Sequence, residues 1–265
     1  MWPIIDSLRL SFTDAHIVGP AQWIGLSNWS QLIADSRFWN ALWNTVLYAL
    51  VTAPISIALA LLFAVLLNGR LPARGFFRSV LFFPFVASIS IVSIAWAFLL
   101  DPQVGTLAAW LSDIGLPIGN GIRSPALAMP AVMLVGIWRN TGFFMVMYLS
   151  GLQSIPGDIY EAAALDGARG FKRFRLIVFP LLSNTTFFVV TIATIFSFQA
   201  FDQMYVMTDG GPFFRTETLV MYLYSSGFQD FNIGYASTIS WALVIVVLAL
   251  SLGQQWFFNK RTVQY

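Results

Sequence analysis

Five apolar stretches, each long enough to cross a lipid bilayer as a helix, leave this chain few folds to choose from. They run over about residues 41–67, 77–100, 127–152, 176–201 and 236–258. At 1.5 Å per residue each extends at least about 33 Å, against a hydrocarbon core of about 30 Å. Lipid offers the backbone no hydrogen-bonding partner, so such stretches must satisfy their own amides as helices. Pro54, Pro84 and Pro130 lie inside them and free carbonyls that neighbouring helices have to satisfy, which favours a packed bundle over isolated anchors. The expectation is an all-α, polytopic membrane helical bundle forming one transmembrane domain over residues 1–265.

Composition agrees and removes several function classes. The chain is 58% hydrophobic and only 10% charged, where soluble domains average about a quarter charged. It has no Cys and one His, which rules out thiolate metal sites and disulfides and leaves no basis for predicting a metal centre. A formal charge of +2 gives no reason to expect a nucleic-acid partner, so what matters is where the basic residues fall.

Loop charges give the orientation. Arg70, Arg74, Arg78, Arg169, Lys172, Arg173, Arg175, Lys260 and Arg261 share one side, against Arg9, Arg37, Arg123 and Arg215 on the other. The positive-inside rule puts the first group, and with it the C-terminus, in the cytoplasm. Five spans then place residues 1–39 outside. That segment is apolar from Trp2 to Phe12 only, too short to span, and reads as an interfacial segment or the last turns of a truncated first helix. Trp23, Trp29, Trp39 and Trp43 mark a loop and interfacial helix at headgroup level. His16 is expected to be an exposed loop residue.

The cytoplasmic loop 153–180 is the one polar island between long spans. Asp158 stands three residues before Glu161, the spacing of a capping box, and Gly167 suits the left-handed conformation that stops a helix. A helix of about two turns follows, and so short a helix is marginal without something to pack on. Ala162, Ala163 and Ala164 leave one side low enough for a partner surface, with Ile159, Tyr160 and Leu165 as apolar contacts. Two readings stay open on spacing alone: a docking helix, or an interfacial helix whose Arg169, Lys172, Arg173 and Arg175 face anionic lipid.

Glu161-Ala162-Ala163, three residues, Gly167, nine residues, then Ile177 and Pro180 resembles the EAA loop of permease subunits of binding-protein-dependent ABC importers. Gly151-Leu152-Gln153-Ser154-Ile155-Pro156 leads into it as in that family, and Phe179 departs from the usual Leu. Ser11-Phe12-Thr13-Asp14, Gly25-Leu26-Ser27-Asn28-Trp29 and Trp43-Asn44-Thr45 resemble the start of the carbohydrate-type branch, which imports maltose, other oligosaccharides and glycerol-3-phosphate. Phe201 to Pro212 and Gly234-Tyr235-Ala236-Ser237 resemble its end. The family usually has six or more spans, so the resemblance implies five complete spans plus the remnant of a first. It implies a bacterial inner-membrane subunit paired with a second permease and served by an extracytoplasmic solute-binding protein. It also implies two cytoplasmic ATPases carrying ATP and Mg, contacted through Glu161, Ala162, Ala163, Asp166, Gly167, Ile177 and Pro180. No G-x-x-x-x-G-K-[ST] stretch is present to cradle phosphate, so this chain is expected to bind no cofactor and to be non-catalytic.

Polar groups at membrane depth are costly and mark candidate path residues. Arg139 and Asn140 qualify, joined by Asn44, Gln199 and Asp202, while Trp96, Trp138, Phe143 and Tyr148 could stack on sugar faces. Each has a plainer reading: Arg139 paired with a carboxylate or carbonyl for packing, Asp202 facing water near the outer end, and the aromatics as ordinary lipid-facing or core residues, a reading that leads for the aromatics. Thr208-Asp209-Gly210-Gly211-Pro212 is a turn by its Gly-Gly-Pro chemistry, with contact to a binding protein as the functional alternative. A self-sufficient secondary transporter or channel would also be all-helical, but it needs no alanine-rich cytoplasmic helix, and no inverted repeat is visible. A membrane enzyme would need clustered His, Asp or Glu at depth, which the spans lack.

Overall fold

A computed structural model describes residues 2–69, 72–115 and 121–259, so Arg70, Lys260 and Arg261 of the charge count lie outside the described residues. Among these residues the regular structure is helical, with two isolated bridges and no strand. In chain order the helices begin with α1 (Trp2–Leu10), α2 (Ser27–Ala34), α3 (Ser36–Asn68), α4 (Arg74–Val86), α5 (Ile89–Leu99) and α6 (Thr106–Asp113). There follow α7 (Ala128–Gln153), α8 (Gly157–Leu165), α9 (Gly170–Arg173), α10 (Phe179–Leu181) and α11 (Ser183–Phe198). The chain closes with α12 (Asp202–Thr208), α13 (Leu219–Tyr224) and α14 (Ile233–Asn259).

Among the described residues three helices are long and apolar enough to cross a membrane: Ser36–Asn68, Ala128–Gln153 and Ile233–Phe258. Counting each of two interrupted pairs as one span raises the number to five. The first interruption corrects the expected continuous helix over 77–100. Helix α4 stops at Val86, Ala87 turns extended (φ −65°, ψ 146°), and α5 restarts at Ile89. The second corrects the helix expected over 176–201, which instead starts at Gly170, bends by 70° at Leu182 and ends at Phe198. Its cause is Pro180, which has no N–H to give the Leu176 carbonyl. The turn before it widens into a π-helix over Phe174–Val178, closed by the Phe179 N–H donating to the Phe174 carbonyl.

The chain forms two compact units. The first comprises Met1–Val51, Ile89–Val135 and Phe196–Ala249. One core of this unit gathers Tyr48, Met129, Val132, Met133, Met204 and Met221. A second gathers Leu32, Phe38, Leu219, Tyr222, Tyr235 and Ile239. Several polar groups at these cores have partners. Gln203 donates to the Tyr48 hydroxyl at 2.7 Å, and the Leu219 N–H donates to Thr45 Oγ1 at 2.9 Å. Residues 11–24 fold back on the start of α14: Asn28 Nδ2 donates to the carbonyls of Ser11 and Thr13, and Thr238 Oγ1 to that of Ser11. Of the Trp2 to Phe12 stretch, Trp2–Leu10 form a short helix, α1, with no buried residue, and Ser11, buried, begins this loop.

The second unit comprises Thr52–Ser88, Gly136–Ile195 and Leu250–Tyr265. Gly142 lets α7 approach α4 more closely than any side chain would allow, because a Cβ there would lie 1.9 Å from the Leu81 carbonyl oxygen. Gln254 donates to Thr194 Oγ1 at 2.8 Å, and Phe258 packs on Phe187 at 5.4 Å between centroids. This unit holds α8 and the loop around it.

Candidate functional site

Helix α8 begins two residues earlier than the capping-box reading requires. Pro156, extended at φ −57° and ψ 142°, is its N-cap, and its carbonyl accepts from the Ile159 N–H at 3.2 Å. Asp158 therefore sits inside the first turn, where it complements the helix dipole, and no side chain caps the helix. The capping box of Asp158 and Glu161 is not formed. Its absence leaves the Glu161 side chain exposed rather than folded back on the backbone.

The C-terminal end follows the sequence expectation closely. Gly167 is left-handed at φ +73°, and nothing lies within 4 Å of the position a Cβ would take, so backbone conformation alone requires glycine. The Ala168 N–H donates to the Ala163 carbonyl at 2.9 Å and the Gly167 N–H to the Ala164 carbonyl at 3.2 Å. These are the two hydrogen bonds of a Schellman motif, and Ala163 and Ala168, at the two positions whose apolar contact often accompanies it, are both buried. The helix is thus pinned to its own protein through Ala163, Ala168 and the buried Ile155. Glu161, Ala162, Ala164, Asp166 and Gly167 face outward, and Leu165 is 89% exposed.

The alanine run therefore divides, with Ala163 serving the inside and its neighbours the outside. Tyr160 is partly covered and lies under the Arg173 guanidinium at 5.4 Å. Burial pushes its hydroxyl above the usual phenol range, against the opposing effect of Arg173. Ile177 and Pro180 lie half-buried in the return helix, where they shape its π turn rather than the exposed tip.

The candidate path residues fall into two sets. In the second unit Arg139 lies 4.9 Å over the Phe85 ring and donates to Asn140 Oδ1 at 3.4 Å. Phe85 stacks on Phe143 at 4.3 Å with 15° between planes. Arg139, Asn140 and Phe143 thus form one group around Phe85, a residue the sequence had not singled out. Trp138 is exposed and Tyr148 fully buried. In the first unit Asn44 is buried and donates to the carbonyls of Phe214 (2.8 Å) and Glu217 (3.0 Å), tying down the 208–218 loop. Trp96 packs against the core, while Gln199 and Asp202 are exposed, Asp202 as the first residue of α12.

The same unit holds polar clusters that sequence reasoning missed. Glu217, 2% exposed, receives Arg37 through two contacts, and the guanidinium lies between the rings of Phe214 (4.6 Å) and Tyr222 (4.7 Å). Asp35 accepts hydrogen bonds from the hydroxyls of Tyr222 and Tyr235. A cavity of ≈ 520 Å³ is bordered by Asp101, Arg123, Thr208, Asp209 and Pro212, with Arg123 donating to Asp101 at 2.8 Å. His16 is exposed, its Nδ1 3.2 Å from the Phe231 carbonyl. Among the described residues no three His, Asp or Glu side chains gather where they could hold a metal.

Residues 24–259 match the family described as binding-protein-dependent transport system inner membrane component. The chain is 34% identical to the sn-glycerol-3-phosphate transport system permease protein UgpA of Agrobacterium fabrum, over 98% of this chain and 89% of that one. It is 36% identical, with the same coverages, to the lactose transport system permease protein LacF of Rhizobium radiobacter. In fold it is similar to a chain of a bacterial alginate ABC transporter solved in complex with an alginate pentasaccharide-bound periplasmic protein. That match has a TM-score of 0.85 at 20% identity and covers 99% of this chain and 89% of the other.

Proposed function

The chain belongs to the binding-protein-dependent transport system inner membrane components, and on that premise we propose that it lines, with a second and similar permease, the path of a sugar or glycerol-phosphate-type solute through the inner membrane. An extracytoplasmic binding protein delivers the solute, and two cytoplasmic ATPases holding ATP and Mg drive the cycle. The chain is non-catalytic, and its C-terminus and the 153–180 loop face the cytoplasm. The relatives' names, glycerol-3-phosphate and lactose permeases, support the solute class.

One observation carries the coupling role: α8 is fixed from within by Ala163, Ala168 and the Gly167 turn while it presents Glu161 and Asp166 to solvent. A helix held rigidly on one side and charged on the other transmits a push from a partner without unwinding. Glu161 pairs with a basic group of an ATPase cleft, and closure of the two ATPases moves the loops together and turns the cavity outward. The turn at Thr208 to Pro212, beside Asp101 and Arg123, meets the binding protein. Arg139, held over Phe85 beside Asn140 and Phe143, supplies the polar and aromatic surface of the path.

Co-purification and uptake test this reading together. The tagged chain is expected to bring down an ATPase and a second permease, and proteoliposomes holding the complex take up solute only with ATP and the binding protein. Glu161→Ala should leave the complex assembled yet lower uptake about tenfold or more, the effect of losing an interfacial charge contact of about 1.5 kcal/mol. Transport by the chain alone without ATP, or full uptake by the Glu161 variant, overturns it.

A further inference from the structure

A second surface lies next to α8 and has no part in the coupling role. Within the second unit a groove of ≈ 760 Å³ runs from Leu61, Leu62 and Val65 on α3 to Phe171 and Phe174 beyond α8. That volume falls within the range of about 300–1,000 Å³ typical of small-molecule sites. Leu62 is 51% exposed and Phe171 75%, so this apolar surface is open rather than packed. Among the described residues lining it Arg173 is the only charged one. Its guanidinium is held by the Tyr160 ring at 5.4 Å, so a cation is stationed in the wall of an otherwise apolar trough. Arg169, Lys172 and Arg175, all exposed, extend the same positive field.

Helix α3 has 33 residues, about 50 Å, and exceeds the hydrocarbon thickness of about 30 Å, so the end that carries Leu62 and Val65 reaches headgroup depth. An apolar trough at that depth with a fixed cation in its wall matches a ligand with a long hydrocarbon tail and an anionic head. We propose that this groove binds an anionic glycerophospholipid, its acyl chain along Leu62 and Val65 and its phosphate at Arg173. The cluster of four basic residues selects this occupant over a neutral lipid or an apolar protein helix, neither of which has use for the charge.

The test is made on the full chain with whatever subunits accompany it, so it stands apart from the importer reading. The protein is equilibrated with equal amounts of phosphatidylglycerol and phosphatidylcholine in mild detergent, and retained lipid is counted by native mass spectrometry. Wild type is expected to retain phosphatidylglycerol over phosphatidylcholine. Arg173→Gln should reduce the retained phosphatidylglycerol about fivefold, the effect of one basic side chain near an anionic surface. Leu62→Trp fills the trough while leaving the cation, and should lower retention of both lipids; it decides the question alone should Arg173→Gln fail to fold. Equal retention of the two lipids by wild type, or unchanged phosphatidylglycerol in both variants, overturns the proposal. So does efficient disulfide cross-linking of Leu62→Cys to a cysteine on a second permease, which makes the occupant a polypeptide.

Discussion

Arg37 and Glu217, 180 positions apart, meet in a two-point contact: Nη2 to Oε1 at 2.6 Å and Nε to Oε2 at 3.0 Å. The carboxylate is almost wholly buried, and Asn44 binds the Glu217 carbonyl from the same helix α3. Together they hold the 208–218 loop against the start of α3. Removing one partner strands the other charge. Glu217→Ala is therefore expected to cost about 2–3 kcal/mol, below the figure for wholly buried pairs because the Arg37 side chain remains 34% exposed. Thermal unfolding in detergent measures the loss, and pairing Glu217→Leu with Arg37→Met should recover most of it.

Stability should depend on pH through Asp35 and Tyr222. Burial opposes ionisation of Asp35, but hydrogen bonds from Tyr222, Tyr235 and the backbone outweigh it and hold the carboxyl below its ordinary value. A carboxyl lowered on folding stabilises above its unfolded pKa of 3.8, and the contribution disappears as pH falls through the folded value. Tyr222 moves the other way: burial first, then the bond to Asp35, pushes it up to about 12 from 10.0. Its contribution is complete below pH 10 and lost as pH rises toward 12. The unfolding temperature should thus be flat from about pH 5 to 9 and fall at both ends. Asp35→Asn should flatten the acid limb and Tyr222→Phe the alkaline one.

At Gly167 the expected penalty is conformational rather than steric. With φ at +73° and open space around the missing Cβ, Gly167→Val should cost about 1–2 kcal/mol locally, and Gly167→Asn clearly less. Limited proteolysis around residues 165–169 reads the difference. Equal cleavage of wild type and the valine variant would contradict it.

Gly142 poses the opposite case. A Cβ there meets the Leu81 carbonyl oxygen at 1.9 Å, and backbone cannot swing aside as a side chain does. Gly142→Ala should destabilise by about 3 kcal/mol, at the upper end of overpacking costs. The fall in unfolding temperature should exceed that of an alanine at Gly253, where nothing lies within 4 Å.

How much of this was legible in the sequence depends on how far apart the determining residues lie. Gly167 could be assigned because a left-handed turn is set by its own residue, and Ala163 and Ala168 close the motif within five positions. The capping box failed although equally local, because Pro156 had already fixed the helix start two residues earlier. The break at Ala87 and Ser88 was invisible because hydropathy averages over side chains and both residues fit a helix. Pro180 was seen as a motif residue, but its effect on the turn before it depends on how the freed carbonyl finds a partner.

By itself the sequence determined the material: apolar segments of bilayer length, an all-helical chain, a short charged helix stopped by glycine, and a family pattern spread along the chain. Those follow from local chemistry, since burial in lipid and a left-handed turn need no distant partner. Tertiary structure decided the rest. It joined Arg37 to Glu217 and Asp35 to two tyrosines, gathered Arg139, Asn140 and Phe143 around Phe85, and turned Ala163 inward while leaving Glu161 outside. A buried charge or ring takes whichever partner the fold brings to it, and separation along the chain carries no record of that choice.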